Sequence, residues 1–316
     1  MTDERVVLAP STIIDEAFGV VPEGFSLRVL DEGVAPGTDE LAAEVLVLGA
    51  ELRHLMPRLA EFERLELVQT LNAGIEMMLP HIPPGVTLCN ASGVHDIPVA
   101  EWVVGVLVAL RRGFLQFAAA QRDGRWDTAG NALTTPPDQI PFVDLDGADV
   151  LIIGHGSIGR RIERLLDPFG ATVTGVAFHP RPGVHGPDDI DDLLPRCDAV
   201  VLMTPLTDET RGLLGADRLS LLRDGAVVIN AARGAVLDQE ALEAELRSGR
   251  LAAALDVTDP EPLPAGHSLW SAPNVIITPH TAGSSRSWMY RAHAFAGEQL
   301  RRYAAGDPLD NVRADY

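Results

Sequence analysis

The chain has 316 residues, 46% of them hydrophobic and 22% charged, the balance of a folded globular protein rather than a disordered one, and it is longer than a single core ordinarily serves, so two domains are expected. A formal charge of −20 would repel nucleic acid and anionic membranes at long range, which sets both aside as partners. All 25 basic residues are arginines; this excludes lysine Schiff-base chemistry and a P-loop lysine, and leaves arginine or backbone N–H groups to hold any anionic ligand.

Residues 1–10 carry acids early and lack the basic region and apolar stretch of a secretion signal. The longest apolar run, 102–110, is far short of a membrane span. Cys89 and Cys197 sit in short apolar contexts without metal-ligand spacing and read as buried thiols of a reducing compartment. A soluble cytoplasmic protein with no metal site is expected.

Short apolar runs at 6–9, 27–30, 45–48, 65–70 and 86–89 alternate with helical patterns, which predicts a parallel sheet in an α/β unit. The strand ending at Thr70 enters Leu71-Asn72-Ala73-Gly74-Ile75, at the sheet edge where open α/β folds place ligands. Two readings of this loop stand: a glycine that exposes N–H groups to a carboxylate, or a plain strand-to-helix turn. Pro98 then opens an apolar helix over 99–112, whose Trp102 reads as core or interface. A polar, proline-containing stretch, 121–146, predicts an extended surface connection.

The apolar run 151–153 meets Gly154-His155-Gly156-Ser157-Ile158-Gly159, three glycines spaced G-x-G-x-x-G and followed by a helical pattern. A strand, a tight turn and a helix start in that order let a pyrophosphate approach the backbone at Gly156 and meet unpaired helix N–H groups, so these six residues are read as contacting a dinucleotide. About 20 residues further on, an NAD site usually has an acid for the ribose 2′-hydroxyl. Here Ala177-Phe178-His179-Pro180-Arg181 follows the second strand, 171–178, with no carboxylate before Asp188. Arg181, with His179 beside it, suits a 2′-phosphate, which favours NADP over NAD.

Further strands at 199–203, 226–229, 251–255 and 275–277 each end in polar residues: Thr204 with Pro205, Asn230 with Arg233, Asp256, and Thr278 with His280. Asp238 before a helical run is a good N-cap. Such strand ends converge on the glycine-loop edge of one sheet. Arg233, after the small residues Ala231 and Ala232, has room to fork onto a carboxylate. Glu261 lies between Pro260 and Pro262, and His280 directly follows Pro279 and precedes Thr281-Ala282-Gly283. A histidine bonded to a carboxylate is oriented with one tautomer fixed and its protonated form favoured, which suits proton donation to a carbonyl oxygen. The candidate catalytic residues are therefore Arg233, Glu261 and His280. The helical segment 284–302 is too short to be a domain and is expected to cross back to the first one.

These segments, with Pro205-Leu206-Thr207-Asp208-Glu209-Thr210, Ala254-Leu255-Asp256-Val257 and Pro260-Glu261-Pro262-Leu263, resemble the D-2-hydroxyacid dehydrogenase family, which includes phosphoglycerate dehydrogenase, glyoxylate/hydroxypyruvate reductase and formate dehydrogenase. The resemblance covers nearly the whole chain. It implies two doubly wound parallel-sheet domains with a cleft between them: a discontinuous flavodoxin-like substrate domain, 1–95 with 285–316, and an inserted Rossmann cofactor domain, 96–284. It also implies a homodimer built on the helix 99–112. By resemblance, Arg233 binds the substrate carboxylate and carbonyl, Glu261 pairs with His280, and His280 is acid in reduction and base in oxidation. Asn72, Ala73 and Gly74 would take the substrate carboxylate; Thr204, Pro205, Ala231, Ala232, Asp256 and Gly283 would line the cofactor. The expected activity is hydride transfer between NAD(P)H, NADPH preferred, and a small 2-oxo or D-2-hydroxy acid. The alternative in another class is an NAD(H)-binding regulator of the corepressor type without turnover; a glycine loop for S-adenosylmethionine would leave the downstream residues without a task.

Overall fold

The structure, a computed structural model, describes residues 4–131, 133, 135–136 and 139–313. The chain divides into two compact units, Met1–His95 with Ser284–Tyr316 and Asp96–Gly283.

The first unit holds β1 (Arg5–Pro10), β2 (Phe25–Leu30), β3 (Ala43–Leu48), β4 (Leu67–Thr70) and β5 (Thr87–Cys89), all parallel and ordered 2-1-3-4-5, the flavodoxin-like arrangement. β3 is buried at every position because its alternate residues feed two cores: Leu46 and Leu48 one, Val45 and Val47 the other. The first core is closed by Leu52, Leu55 and Leu59 of the helical segment Ala50–Glu61, the second by Ala292, Ala296 and Leu300 of the helix Trp288–Ala305. The helical patterns between the early strands become single turns, Asp15–Phe18 and Thr38–Leu41, and the segment Ala50–Glu61 is wound as a 3-10 helix with Pro57, which has no N–H to donate, inside it.

The second unit holds β6 (Asp149–Ile153), β7 (Thr172–Val176), β8 (Val184–His185), β9 (Ala199–Leu202), β10 (Val227–Asn230), β11 (Ala252–Leu255) and β12 (Val275–Ile277) in the order 12-11-10-9-6-7-8, every pair parallel. The order reverses between β9 and β6, the switch point at which doubly wound sheets open a crevice for ligands. One face is covered by Val99, Ala100, Val103 and Leu107 of the helix Asp96–Arg111, with Trp102 packed at its margin; this helix starts two residues before Pro98. Of the stretch expected as an extended connection, only 121–122 belong to a helix, the end of Phe114–Arg122, and Phe142 folds back on Phe117 at 5.2 Å between ring centroids; Ala132, Thr134, Pro137 and Asp138 of that stretch lie outside the described residues. Among the described residues no single helix is long and apolar enough to cross a membrane.

Candidate dinucleotide and acid–base site

One row of registered residues crosses six strands of the second unit at their carboxyl ends: Val176, Ile153, Leu202, Asn230, Leu255 and Ile277. The residues that follow this row are the sequence candidates themselves. Gly154 follows β6, Thr204 follows β9, Arg233 follows β10, Asp256 follows β11 and His280 follows β12, so parallel pairing alone brings five chain-distant segments to one edge.

The glycine loop is built for close approach. Gly154 adopts φ +103°, and a Cβ there would lie 2.7 Å from the N–H nitrogen of Thr204 and run into the Met203 carbonyl. A Cβ on Gly156 would meet nothing within 4 Å, and the helix Ser157–Leu166 begins there with no side-chain cap. Its first N–H groups are therefore presented to the open side of the loop, the arrangement that binds a phosphate. The Thr204 hydroxyl is buried with no partner among the described residues, although buried hydroxyls almost always have one. An uncapped helix end, an open glycine and an orphaned hydroxyl at the switch point fit a bound dinucleotide. The hydroxyl of Ser157 donates to Asp96, 3.0 Å away, which ties the loop to the helix Asp96–Arg111, and the Pro205 carbonyl accepts from the Thr210 hydroxyl at 2.7 Å, which braces its own turn.

Of the six loop residues read as contacting a dinucleotide, His155 has its ring turned into the protein. The ring is buried, seated over Gly175 of β7, with Nε2 2.8 Å from a Glu163 carboxylate oxygen and Nδ1 3.1 Å from Nη2 of Arg181. The same Nη2 donates to the His155 carbonyl at 2.7 Å. Arg181 thus lies against the glycine loop, while His179 stacks edge-on with Phe178 instead, 4.9 Å between centroids.

At the other end of the row, His280 Nδ1 lies 2.7 Å from Glu261 Oε1, and His280 is one of three described non-glycine residues with positive φ, 54°. Asp256 holds that turn. Its buried carboxylate accepts from the Thr278 hydroxyl (2.5 Å) and the N–H groups of Thr281 (2.8 Å) and Ala282 (2.9 Å), and its carbonyl accepts from the His280 N–H at 2.8 Å. Three of the carboxylate's roughly four acceptor positions are taken, so Asp256 is foremost the brace of the histidine turn. Arg233 is set in place by Asn230, whose fully buried amide accepts from Ala232 N–H and donates to the Arg233 carbonyl, both at 3.0 Å. Arg233 Nη1 donates to the Ala232 carbonyl at 2.7 Å. Gly234 beside it packs so closely on Thr258 and Asp259 that a Cβ would strike their backbone, which draws the Arg233 and Glu261 segments together. Gly283 closes the His280 turn, and Ala231 follows β10 half-buried.

In the first unit, the loop 71–75 is shaped by a residue the sequence reading passed over. The Asn90 amide donates to the Ala73 carbonyl (2.6 Å), and Ala91 N–H donates to that of Asn72 (3.0 Å). In a trans peptide C=O and N–H point in opposite directions, so the Ala73 N–H faces away from Ala91 and the Gly74 N–H faces away from the Asn90 amide. Burial pushes the thiols up, Cys89 to about 11 and Cys197 to about 12, which removes both as nucleophiles. Among the described residues no group of three or more His, Cys, Asp or Glu is arranged to hold a metal ion.

Comparison with known proteins agrees with this geometry. The family model described as "D-isomer specific 2-hydroxyacid dehydrogenase, NAD binding domain" matches residues 104–282. The D-3-phosphoglycerate dehydrogenase of Methanocaldococcus jannaschii is 29% identical over 279 residues, 85% of this chain and 51% of that protein, so the chain spans about half the length of that relative. The glyoxylate reductase of Thermofilum pendens is 31% identical over 279 residues, 85% of this chain and 77% of its own. A crystal structure of a D-isomer specific 2-hydroxyacid dehydrogenase from Xanthobacter autotrophicus Py2, in complex with NADPH and MES, superposes with a TM-score of 0.80 at 31% identity, covering 98% of both chains.

Proposed function

The chain belongs to the D-isomer-specific 2-hydroxyacid dehydrogenase family, and on that premise we propose that it is an NADPH-preferring reductase of small 2-oxo acids such as glyoxylate or hydroxypyruvate, forming the D-2-hydroxy acid. The observation that carries the reading is the His280–Glu261 contact of 2.7 Å on the same sheet edge as Arg233 and the open glycine loop. When bound, the nicotinamide supplies the hydride. Everything else falls to the chain's own residues. Glu261 fixes the Nδ1–H tautomer, so His280 presents Nε2 to the substrate and delivers its proton to the carbonyl oxygen as that oxygen gains charge; in the reverse direction the same nitrogen takes it back. Arg233 holds the carboxylate, and with no lysine in the chain a guanidinium is the only long cationic side chain for that role.

Formate oxidation, also found in the family, moves a hydride and releases no oxygen-bound proton, so it would leave the His280–Glu261 pair idle. A regulator without turnover would leave it idle too. NADPH over NADH is supported by Arg181 beside the glycine loop and the absence of an acid from Ala177 to Gly186. A homodimer is supported by the exposed aromatic residues Phe114 and Trp126 beside the helix Asp96–Arg111, and a cytoplasmic location by two buried free thiols. The test is a panel of 2-oxo acids assayed with NADPH and NADH side by side, together with His280→Ala. Steady NADPH oxidation with at least one acid is expected, with turnover lost in the variant on the order of 10²–10⁴-fold and nucleotide binding retained. No turnover with any acid, or normal turnover in His280→Ala, refutes the proposal.

A further inference from the structure

We propose that His155 and Glu163 are positioning residues that set the preference for a 2′-phosphorylated dinucleotide by fixing the guanidinium of Arg181. The inference rests on the reading of Arg181 as the 2′-phosphate ligand and deepens it.

Arg181 stands on an exposed loop, Ala177 to Gly183, whose backbone is tied by the Ala177 N–H to the His185 carbonyl and by the bridge between Arg181 and Val184. A long side chain on such a loop would ordinarily sample many rotamers, and a phosphate that captured it would bear the cost of freezing it. Here that cost is met before the ligand arrives. Glu163, nearly two turns into the helix Ser157–Leu166, lies 2.8 Å from His155 Nε2 and accepts its N–H, which leaves the Nδ1 lone pair to accept from Arg181. Nη2 of Arg181 then has two acceptors on one residue, the His155 carbonyl at 2.7 Å and Nδ1 at 3.1 Å, matched to its two hydrogens. Nε and Nη1 keep three donors for an incoming oxyanion.

The ring itself is buried. A Cβ on Gly175 would lie 2.6 Å from its Cγ, so the imidazole occupies the space that any other residue at that position of β7 would fill. His155 N–H also donates to the Val176 carbonyl at 2.8 Å, so the residue tying Arg181 down is itself part of the pyrophosphate loop. The consequence is a fixed spacing between the two anion-recognition points, pyrophosphate loop and 2′-phosphate arginine, enforced by one histidine.

The test measures binding without turnover: calorimetric titration of 2′,5′-ADP and of 5′-AMP, and fluorescence titration of NADPH and NADH, on the wild type, Glu163→Ala, Glu163→Gln, Arg181→Ala and the double variant Glu163→Ala/Arg181→Ala. Glu163 lies at the protein surface apart from its histidine contact, so its variants are expected to fold. In Glu163→Ala, affinity for 2′,5′-ADP and NADPH should fall on the order of tenfold while 5′-AMP and NADH change less than about twofold. Glu163→Gln, whose amide oxygen still accepts from Nε2–H, should restore most of it. The double variant should be no weaker than Arg181→Ala alone, the signature of an effect exerted through the arginine. If Arg181→Ala selectively lowers NADPH affinity and Glu163→Ala does not, or if Glu163→Ala weakens both nucleotides equally, the positioning role is overturned. If Arg181→Ala leaves the NADPH-to-NADH ratio unchanged, the 2′-phosphate reading beneath it fails instead.

Discussion

Replacing Asp256 with Asn removes a charge and half of an acceptor set while leaving the shape of the side chain almost unaltered. The carboxylate is 3% exposed and takes the Thr278 hydroxyl and Thr281 N–H on Oδ1 and the Ala282 N–H on Oδ2. An asparagine can keep the pair on its single oxygen, but its NH2 then meets the Ala282 N–H, donor against donor. One charge-assisted hydrogen bond is lost and a buried N–H is orphaned, about 1.5–3 kcal/mol. Because about 1.4 kcal/mol is a factor of ten, the Ala282 amide should open and exchange with solvent roughly 10- to 150-fold faster, read by hydrogen exchange of a peptide spanning 278–283. The turn also holds His280 at φ 54°, a region that costs a non-glycine residue about 1–2 kcal/mol. Released from its brace, the histidine relaxes, and kcat for 2-oxo acid reduction should fall at least about tenfold with little change in Kd for NADPH. Unchanged exchange at Ala282 together with unchanged kcat would refute the assignment of Asp256 as the brace of this turn.

Thr204→Val should leave the unliganded protein as stable as the wild type or slightly more so, since the buried hydroxyl has no partner to lose, yet should reduce the gain in melting temperature on adding NADPH. Cys89 and Cys197, with thiols raised by burial to about 11 and about 12, should not react with a disulfide reagent at pH 8 until the protein is unfolded, when both should titrate. The buried His293 accepts the Ile14 N–H at Nδ1 (3.0 Å), and burial holds its pKa below the usual 6.5, partly opposed by Glu51. The folded form therefore stays neutral where the unfolded chain takes up a proton. Its contribution to stability is complete above about pH 6.5 and is lost as pH falls below that; urea midpoints at pH 7.5 and 5.5 should differ by less in His293→Gln than in the wild type.

The strands of both sheets were legible because a parallel strand covered on both faces is apolar at consecutive positions, as 45–48 and 151–153 are. β8 was not, since two residues held by a reverse bridge at Arg181 carry no periodicity. The helices between the early strands shortened or tightened for a similar reason: their patterns are set by only one or two turns, too few to distinguish an α-helix from a 3-10 turn around Pro57. Within the site, residues at strand ends stood out by their chemistry, whereas those that hold them did not. Asn90 serves a carbonyl seventeen positions back, and Glu163 a histidine two turns earlier, with no spacing rule to mark either. Asn230 was within reach. An Asn closing a strand before small residues is a known pattern for bonding its own backbone two and three positions on.

The three glycines that announce the nucleotide loop act in different ways, and one further glycine belongs with them. Gly154 is glycine because β9's continuation at Met203 and Thr204 leaves no room for a Cβ; Gly159 because a Cβ there would lie 3.0 Å from the Gly154 carbonyl oxygen; Gly156 alone faces open space. Gly175, on β7 and outside the G-x-G-x-x-G pattern, is required by the ring of His155. That requirement runs in one direction only. With a smaller side chain at position 155, Gly175→Ala would be tolerated, whereas beside His155 the same substitution would force the ring off the strand and break its contacts to Glu163 and Arg181 together. The glycine-loop fingerprint of this chain therefore extends to Gly175, outside the G-x-G-x-x-G spacing, whose missing side chain makes room for the ring of His155.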